Sequence, residues 1–282
     1  MKLRPEPSET PLAAEWDRLV RGALRRGALP EERPAEVDLD AYDPRAVAAA
    51  RAGWRRRMVD EHRSATVFSG LLPQLIEAEL PIDFQGVVLR MAMDELRHGA
   101  LCGAVARALG AEPVMEIEDA AEAPAKHEGA TPLVRVLRNV IYASCISETA
   151  SVALTAAERE STDAPFVRAV LDQLFGDETL HARFGWLCLA ETRARLTDDE
   201  REAVEAYLPH ALSHYRRSIL GRIGRPAEPK EAALDETALD DTERRDRGRL
   251  GVLDPELARD VLDDTLEGVV APRLRDAGFR MA

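Results

Sequence analysis

The sequence predicts an all-α protein, and three observations support this class. Good helix formers, chiefly Ala, Leu, Arg and Glu, dominate the 282 residues. The alternation of apolar and polar residues that is typical of strands is nearly absent. Capping residues, Pro and Gly occur where helices would begin or end, as at Asp43-Pro44 and at Gly110. A chain of this length can bury a core in one large helical domain or in two small ones.

Charge and composition narrow the classes of partner. The net charge of −13 argues against duplex nucleic acid or an anionic membrane, because binding either needs a basic surface. We see no apolar stretch near the roughly 20 residues of a membrane span and no signal peptide after Met1. The three cysteines form no metal-finger spacing, which favours a reducing compartment. We therefore expect a cytoplasmic protein without nucleic-acid or membrane partners.

The first half of the chain predicts an extension and two long helices. Residues 1–43 are rich in Pro and Glu and are expected to pack on the main domain, which spans residues 44–224. Its first helix should begin after the capping residue Asp43 and run towards Pro81. The second should run from about residue 84 to residue 109, with Gly110 after its end. Residues 111–130 contain acidic residues, Pro and Gly, and predict a long crossover.

Three further helices are predicted before the C-terminal segment. The third begins at Thr131-Pro132 and ends near residue 160, and a short turn around Asp163 leads to the fourth. Thr197 opens a fifth helix that ends near residue 223. Residues 225–282 are expected to form a polar linker, up to about residue 250, and a last helix capped by Asp254. Two hairpins joined by a long crossover form a bundle topology that hosts metal sites.

Two Glu-x-x-His motifs, each directly after an Asp, are the most informative pattern. Glu95 and His98 form the first, and Glu178 and His181 form the second. Residues i and i+3 share one face of a helix, so each motif offers a carboxylate and an imidazole to one point. A di-metal carboxylate site in a four-helix bundle needs two such motifs and one lone Glu from each of two other helices.

Hairpin symmetry selects the two lone Glu residues. Residues at one level of an antiparallel hairpin lie symmetrically about its turn. Glu148 pairs with Glu178 about Asp163, and Glu61 pairs with Glu95 about the turn near residue 80. Two rivals near that turn, at positions 77 and 79, would lie roughly 20 Å along the helix axis from the first motif.

The predicted metal ligands are Glu61, Glu95, His98, Glu148, Glu178 and His181. Four carboxylates that converge in an apolar core need cations to neutralise them. The alternative is a set of Glu and His residues on solvated helix faces. Apolar residues before each motif, such as Val88, Met91 and Leu174, favour burial.

Two Asp residues and three Cys residues surround this set. A metal-bound imidazole needs its other nitrogen held by an acceptor, so we expect Asp177 to bond His98 and Asp94 to bond His181. A solvent-facing Asp is the alternative. The cysteines at positions 102, 145 and 188 lie at same-face spacings from the ligands, and they either face the site or serve as small buried hydrophobes.

A cavity is expected beside the ligands. Its lining should come from residues about one helical turn from a ligand and from nearby aromatic side chains: Ala65, Phe68, Cys102, Cys145, Val152 and Phe175. On the fifth helix, His210, His214 and Tyr207 share one face. These three residues could reach the end of the bundle or form a polar helix face.

The ligand pattern resembles the ferritin-like di-iron carboxylate superfamily over about residues 45–195. Its Asp-Glu-x-x-His form is similar to that of the ribonucleotide reductase small subunit, acyl-carrier desaturases and related oxidases. The chain departs from three subfamilies: Cys145 replaces a Glu of rubrerythrins, Cys102 replaces the radical Tyr of the reductase, and Leu174 replaces a His of arylamine N-oxygenases. We therefore expect an unassigned branch.

The resemblance implies a ferritin-like four-helix bundle with two iron ions, or manganese and iron, and a non-haem di-iron oxidoreductase that activates dioxygen. Glu95 and Glu178 would bridge the metals, whereas Glu61 and Glu148 would be terminal or bridging. The substrate would be a small organic molecule. An external electron donor is expected, since no flavin or ferredoxin-like motif occurs, and a homodimer is compatible with this function. The alternatives are a ferroxidase without an organic substrate and a scaffold with a vestigial site.

Overall fold

A computed structural model describes residues 2–3, 37–116, 123–223 and 240–281. These residues are almost entirely helical, which confirms the predicted all-α class. A short antiparallel ladder, β1 (Lys2–Leu3) with β2 (Met115–Glu116), is the exception among them. Most of the predicted extension 1–43 and residues 225–239 of the predicted linker lie outside the described ranges.

Two long helices, α1 (Pro44–Glu77) and α2 (Ile82–Ala108), form the first hairpin. The side chain of Asp43 caps α1 by accepting hydrogen bonds from the next backbone amides. Pro73 lies inside α1 without ending it. Gly110 follows α2 with a φ of 78°, the left-handed conformation predicted for it.

Helix α3 (Pro132–Ser161) is continuous but not uniform. It begins with an α-helical part, Pro132–Val140, continues as a π-helical segment, Ile141–Glu148, and ends with a second α-helical part, Thr149–Ser161. The sequence did not predict the π-helix. By length and composition alone α3 could cross a membrane, so the expectation that no stretch approaches a membrane span was wrong; half of its most apolar window is buried inside the protein.

The second hairpin is completed by α4 (Pro165–Thr192), which α5 (Asp198–Leu220) follows. A 3₁₀ turn, Arg193–Arg195, ends α4 earlier than predicted. Thr197 and Glu200 form a reciprocal capping box at the start of α5, where the sequence predicted the fifth helix to begin.

The C-terminal region corrects the prediction of a linker up to residue 250. Helix α6 (Asp241–Arg249) begins at the capping residue Asp240. Three of its charged side chains are buried and partnered: Arg247 pairs with Glu243 at 2.7 Å, and Asp246 accepts a hydrogen bond from the amide of Asp43. Helix α7 then follows in three parts, Pro255–Thr265, the π-helical Leu266–Val270 and Ala271–Asp276.

Apolar side chains form two clusters that leave a polar layer between them. One cluster includes Trp54, Met58 and Leu171, and the other includes Phe68 and Leu137. Along α1, α2 and α4, the residues of one cluster give way to those of the other where the predicted ligands occur. The fold therefore places the predicted site between two hydrophobic layers.

Candidate metal centre

All six predicted ligands converge at one buried place. Their side chains form two overlapping groups, and in each group one potential ligand atom per residue lies within 4.8 Å of the others. The first group is Glu61, Glu95, His98 and Glu178. The second is Glu95, Glu148, Glu178 and His181. The groups share Glu95 and Glu178, the two carboxylates predicted to bridge.

Burial distinguishes these carboxylates from the two alternative Glu residues near the turn. The four Glu residues of the centre are between 1% and 9% exposed, whereas Glu77 and Glu79 are exposed at the turn. Hairpin symmetry therefore selected the Glu residue of α1 that lies in the buried cluster. Buried apolar residues one turn earlier, such as Met91 and Leu174, direct each motif inward. The clustering is observed, and its role in metal binding stays a prediction.

His98 presents its two ring nitrogens to different partners. Its Nδ1 lies 3.5 Å from Glu178, 3.6 Å from Glu95 and 3.7 Å from Glu61. Its Nε2 lies 3.2 Å from a carboxylate oxygen of Asp177. Nδ1 is therefore the atom that faces a prospective ion, while Asp177 holds the other side of the ring.

His181 has the corresponding arrangement with a looser second contact. Its Nδ1 lies 2.9 Å from Glu95 and 3.5 Å from Glu178, and its Nε2 lies 3.6 Å from Asp94. The last distance is longer than a hydrogen bond. Both Asp residues are buried, so the solvent-facing alternative is wrong for them. Each Asp faces the imidazole of the other motif, as expected from the sequence.

Arg97 is a member of the site that sequence reasoning missed. It is 2% exposed and bonds both Asp94, at 3.2 Å, and Asp177. Arg90 adds two further bonds to Asp94 at 2.8 Å. One buried cation thus joins the two Asp residues that face the two imidazoles. The available signal was a positive charge inside the first motif, three residues after its Asp.

The pKa values of the carboxylates of the centre are shifted in two opposite directions. Burial raises the pKa of Glu61 to about 8 and that of Glu148 well above its ordinary value. Burial also opposes ionisation of Glu178, but hydrogen bonds with Glu148, His181 and His98 hold its pKa well below the usual range. These opposite shifts favour a proton on Glu148 and an ionised Glu178 in the metal-free protein.

The imidazoles behave as cations in this surrounding. Burial lowers the pKa of His98 and His181, but contacts with Asp177, Asp94 and the motif carboxylates outweigh burial and raise both pKa values well above normal. The raised pKa values favour bound protons on both imidazoles in the metal-free protein. Metal binding would have to displace them.

The unpartnered atoms of the cluster test whether a metal fits. Glu95 Oε1, Glu178 Oε2 and the Nδ1 atoms of His98 and His181 are buried without a hydrogen-bond partner. His181 Nδ1 and Glu95 Oε1 lie 2.9 Å apart, yet they are not aligned as a hydrogen bond. Unsatisfied buried polar atoms are costly, and cations held by the two ligand groups would satisfy these four. These residues could therefore hold a metal ion.

The π-helix brings Glu148 into this cluster at its last residue. Single π-helical turns occur frequently at functional sites. Gly185 of α4 lies against this segment, and a Cβ atom there would meet the Cβ of Ser144 at 2.6 Å and the amide nitrogen of Cys145 at 2.9 Å. The lack of a side chain at position 185 thus permits the close approach of α3 to α4.

A cavity of about 1110 Å³ lies between α1, α3 and α5 and reaches all four Glu residues of the centre. Phe68 lines it, as predicted. Five other predicted residues are not part of its lining: Ala65, Cys102, Cys145, Val152 and Phe175. Ala65, Cys102 and Cys145 are buried in the core instead. Phe175 lies 4.5 Å from the guanidinium of Arg159.

The three cysteines are buried free thiols. Cys145 and Cys188 belong to one apolar cluster and Cys102 to the other, which supports their role as small hydrophobic residues. Burial raises the pKa of all three thiols, to about 12 for Cys188. Protonated thiols are poor metal ligands.

Comparison with known protein families gave no match, and comparison with curated proteins gave no significant match. The chemistry of this protein is therefore inferred from the arrangement of its own side chains.

Proposed function

We propose that this protein is a ferritin-like di-iron oxidoreductase. In this proposal α1 to α4 form a four-helix bundle with a long crossover between α2 and α3. The buried centre binds two iron ions, or manganese and iron, and uses dioxygen to oxidise a small organic substrate. The observation that carries the proposal is the pair of overlapping ligand groups, with one imidazole in each group and Glu95 and Glu178 in both.

Charge balance favours two divalent ions over one. The four buried Glu residues would carry four negative charges when ionised. Arg97 and Arg90 already compensate the two neighbouring Asp residues. Two divalent cations would match the remaining charge, whereas one would leave two uncompensated carboxylates in a buried site.

The side chains have distinct tasks in this proposal. Bound iron would supply redox and Lewis-acid chemistry. His98 and His181 bind through Nδ1, and the Asp on the far side of each ring fixes its orientation. Glu95 and Glu178 reach both positions, while Glu61 and Glu148 complete them on the cavity side. Mixed carboxylate and imidazole ligation suits iron.

The cavity favours the oxidoreductase over the ferroxidase alternative. Its volume of about 1110 Å³ lies just above the usual range of small-molecule sites, about 300–1000 Å³. A protein that only oxidises and stores iron has no need of such a space beside the ligands. Electrons would come from an external donor.

Metal analysis after anaerobic loading with Fe(II) tests the centre itself. We expect two iron ions per chain in the wild type and a loss of both in Glu95→Ala, because Glu95 belongs to both groups. Glu77→Ala is the matched control, since this exposed Glu of α1 pairs with Arg135 outside the site. Fewer than about one iron per chain, unchanged by Glu95→Ala, would remove the proposal.

Exposure of the loaded protein to dioxygen tests the chemistry. We expect a change in absorbance and a Mössbauer spectrum of two coupled Fe(III) ions. Mononuclear iron alone would contradict a shared centre.

A further inference from the structure

The cavity beside the centre is lined by more positive than negative side chains. Apart from the four Glu residues of the centre, five Arg and two acidic residues line it. The whole chain, by contrast, has a net charge of −13. The excess of positive charge is therefore a local property of the cavity. These seven lining residues are Arg56, Arg57, Arg63, Arg222 and Arg247, with Asp60 and Glu158.

Arg63 has a buried hydrogen-bond donor that no described residue satisfies. Its ion-pair partner is Asp60, at 4.0 Å, which is longer than a hydrogen bond, and its Nε is buried without a partner. Asp60 already accepts a hydrogen bond from Arg222 at 3.1 Å. One carboxylate thus serves two guanidinium groups. A second acceptor with a negative charge at this place would satisfy the remaining donor.

Two contacts show how α1 and α3 run along the cavity. Near one end, Arg57 of α1 donates to Glu158 of α3 at 2.7 Å. Towards the other end, Asn139 of α3 donates to Gln74 of α1 at 2.8 Å. The two helices are therefore antiparallel. Each helix carries its ligand Glu between its two contact residues, so the centre lies between the two ends of the cavity.

The two ends of the cavity differ in the side chains that line them. At one end, which we call the arginine end, Arg56 donates to the carbonyl of Arg222 at 2.8 Å. At the other, the aromatic end, a ring nitrogen of His127 lies 3.3 Å from the amide oxygen of Asn139, and the ring packs edgewise on Tyr207. The arginine end comprises Trp54, Arg56, Arg57 and Arg222, and the aromatic end comprises Phe68, His127, Tyr142, Tyr207 and His210.

Metal binding would leave the cavity with its excess of positive charge. Two divalent ions would balance the four Glu residues, but the five Arg side chains would still outnumber the two acidic ones. A neutral or cationic molecule in the cavity leaves this excess uncompensated, whereas an anion reduces it. The rings of the aromatic end offer faces and edges against which an aromatic or apolar group can pack.

We propose that the substrate of this protein is an organic anion with one carboxylate group and an aromatic or apolar part. The carboxylate accepts hydrogen bonds from Arg63 and Arg222, beside Asp60. The aromatic or apolar part packs against the rings of the aromatic end. The substrate then lies along the cavity beside Glu61 and Glu148, which both line it. This inference rests on the proposed function and names its class of substrate.

Isothermal titration calorimetry of the full-length protein, loaded with Fe(II) and kept without oxygen, tests the substrate class. The probes are phenylbutyrate, phenylbutanol and phenylbutylamine, which share one carbon skeleton and differ in charge. We expect the carboxylate to bind about tenfold more tightly than the alcohol, and the amine to bind most weakly. This comparison needs no variant of the protein.

Two variants locate the carboxylate. Arg63→Gln should weaken the binding of phenylbutyrate about tenfold and leave that of phenylbutanol unchanged, because only the carboxylate uses the charge of the guanidinium. Arg135→Gln is the matched control. Arg135 also has a buried Nε without a partner, but it pairs with Glu77 outside the cavity, so its loss should change neither affinity. Thermal unfolding checks that both variants remain folded.

Iron content and the response to dioxygen separate the outcomes. Equal affinities for the three compounds, or no binding of the carboxylate, in a protein that binds iron and reacts with dioxygen would overturn the substrate class and leave the proposed function intact. Carboxylate binding that alters the Mössbauer spectrum and is unchanged in Arg63→Gln would place the anion on the iron ions and would also overturn it. If the protein takes up no iron, the proposed function fails and this inference fails with it.

Discussion

The two halves of the centre repeat one sequence pattern but not one structure. The α1–α2 half supplies Glu61 and the motif that contains Arg97, whereas the α3–α4 half supplies Glu148 and a motif with Leu180 at the same position. Arg97 is 2% exposed and binds the Asp residues of both motifs. Leu180 is 43% exposed. The buried positive charge thus comes from one half alone.

The backbone shows the opposite asymmetry. Glu61 lies on a regular α-helix, whereas Glu148 ends a π-helical segment that contacts α4 and α5 and lines the cavity. The repeat therefore explains the ligands. The buried cation comes from the first half, and the π-helical segment comes from the second.

Exchanging the motif residues should have the largest effect. Arg97→Leu gives the first motif the residue of the second and leaves two buried Asp residues without their shared cation. We expect a loss of about 3–5 kcal/mol in the free energy of unfolding. The reciprocal Leu180→Arg should change stability by no more than about 0.5 kcal/mol, because the side chain is exposed. Urea unfolding measures both, and equal effects would refute the asymmetry.

Neutral replacements of two hydrogen-bonded carboxylates should have intermediate effects in the metal-free protein. Glu178 is held ionised, so Glu178→Gln loses charged hydrogen bonds at about 1.5–3 kcal/mol. Glu148 is held protonated, so Glu148→Gln keeps a donor to Glu178 and should cost less than about 1 kcal/mol. Chemical unfolding in the presence of a chelator compares the two variants. A larger loss in Glu148→Gln would contradict the assigned proton.

A pH dependence of stability is an effect that both halves should share, because Glu61 of the first half and Glu148 of the second both have raised pKa values. The pKa of Glu61 rises from 4.5 to about 8 on folding, so the folded metal-free protein binds more protons than the unfolded chain in that interval. Its stability should therefore fall as pH rises from about 5 to about 8. The lowered pKa of Asp177 adds a stability that is already complete above its ordinary value of 3.8 and does not oppose this slope.

Thermal unfolding at several pH values, with and without Fe(II), measures this slope. Metal should flatten it, because bound ions replace the protons. Glu61→Gln and Glu148→Gln should each flatten it in the metal-free protein. A slope that is unchanged in both variants would show that other groups control the pH dependence.

Local rules explain what the sequence could predict. Capping residues and glycines predicted where the main helices begin and end. Helical spacing and hairpin symmetry predicted which six residues cluster and which Asp faces which His. The missed features depend on distant partners. Arg97 occupies a position that the motif leaves free, and α6 is held by charged pairs such as Glu243 with Arg247 that resemble a solvated segment. The cavity wall arises where α5 packs beside the π-helix, which no local signal indicates.

Gly185 has a consequence for the choice of ion. It lies one helical turn beyond His181, where even a methyl group would collide with Ser144. The spacing between α3 and α4, and with it the span between Glu148 and Glu178, therefore depends on a residue that presents only a hydrogen atom. We expect a larger residue at position 185 to widen the centre without touching a single ligand. Discrimination between ions of different radius would then be encoded outside the coordination sphere.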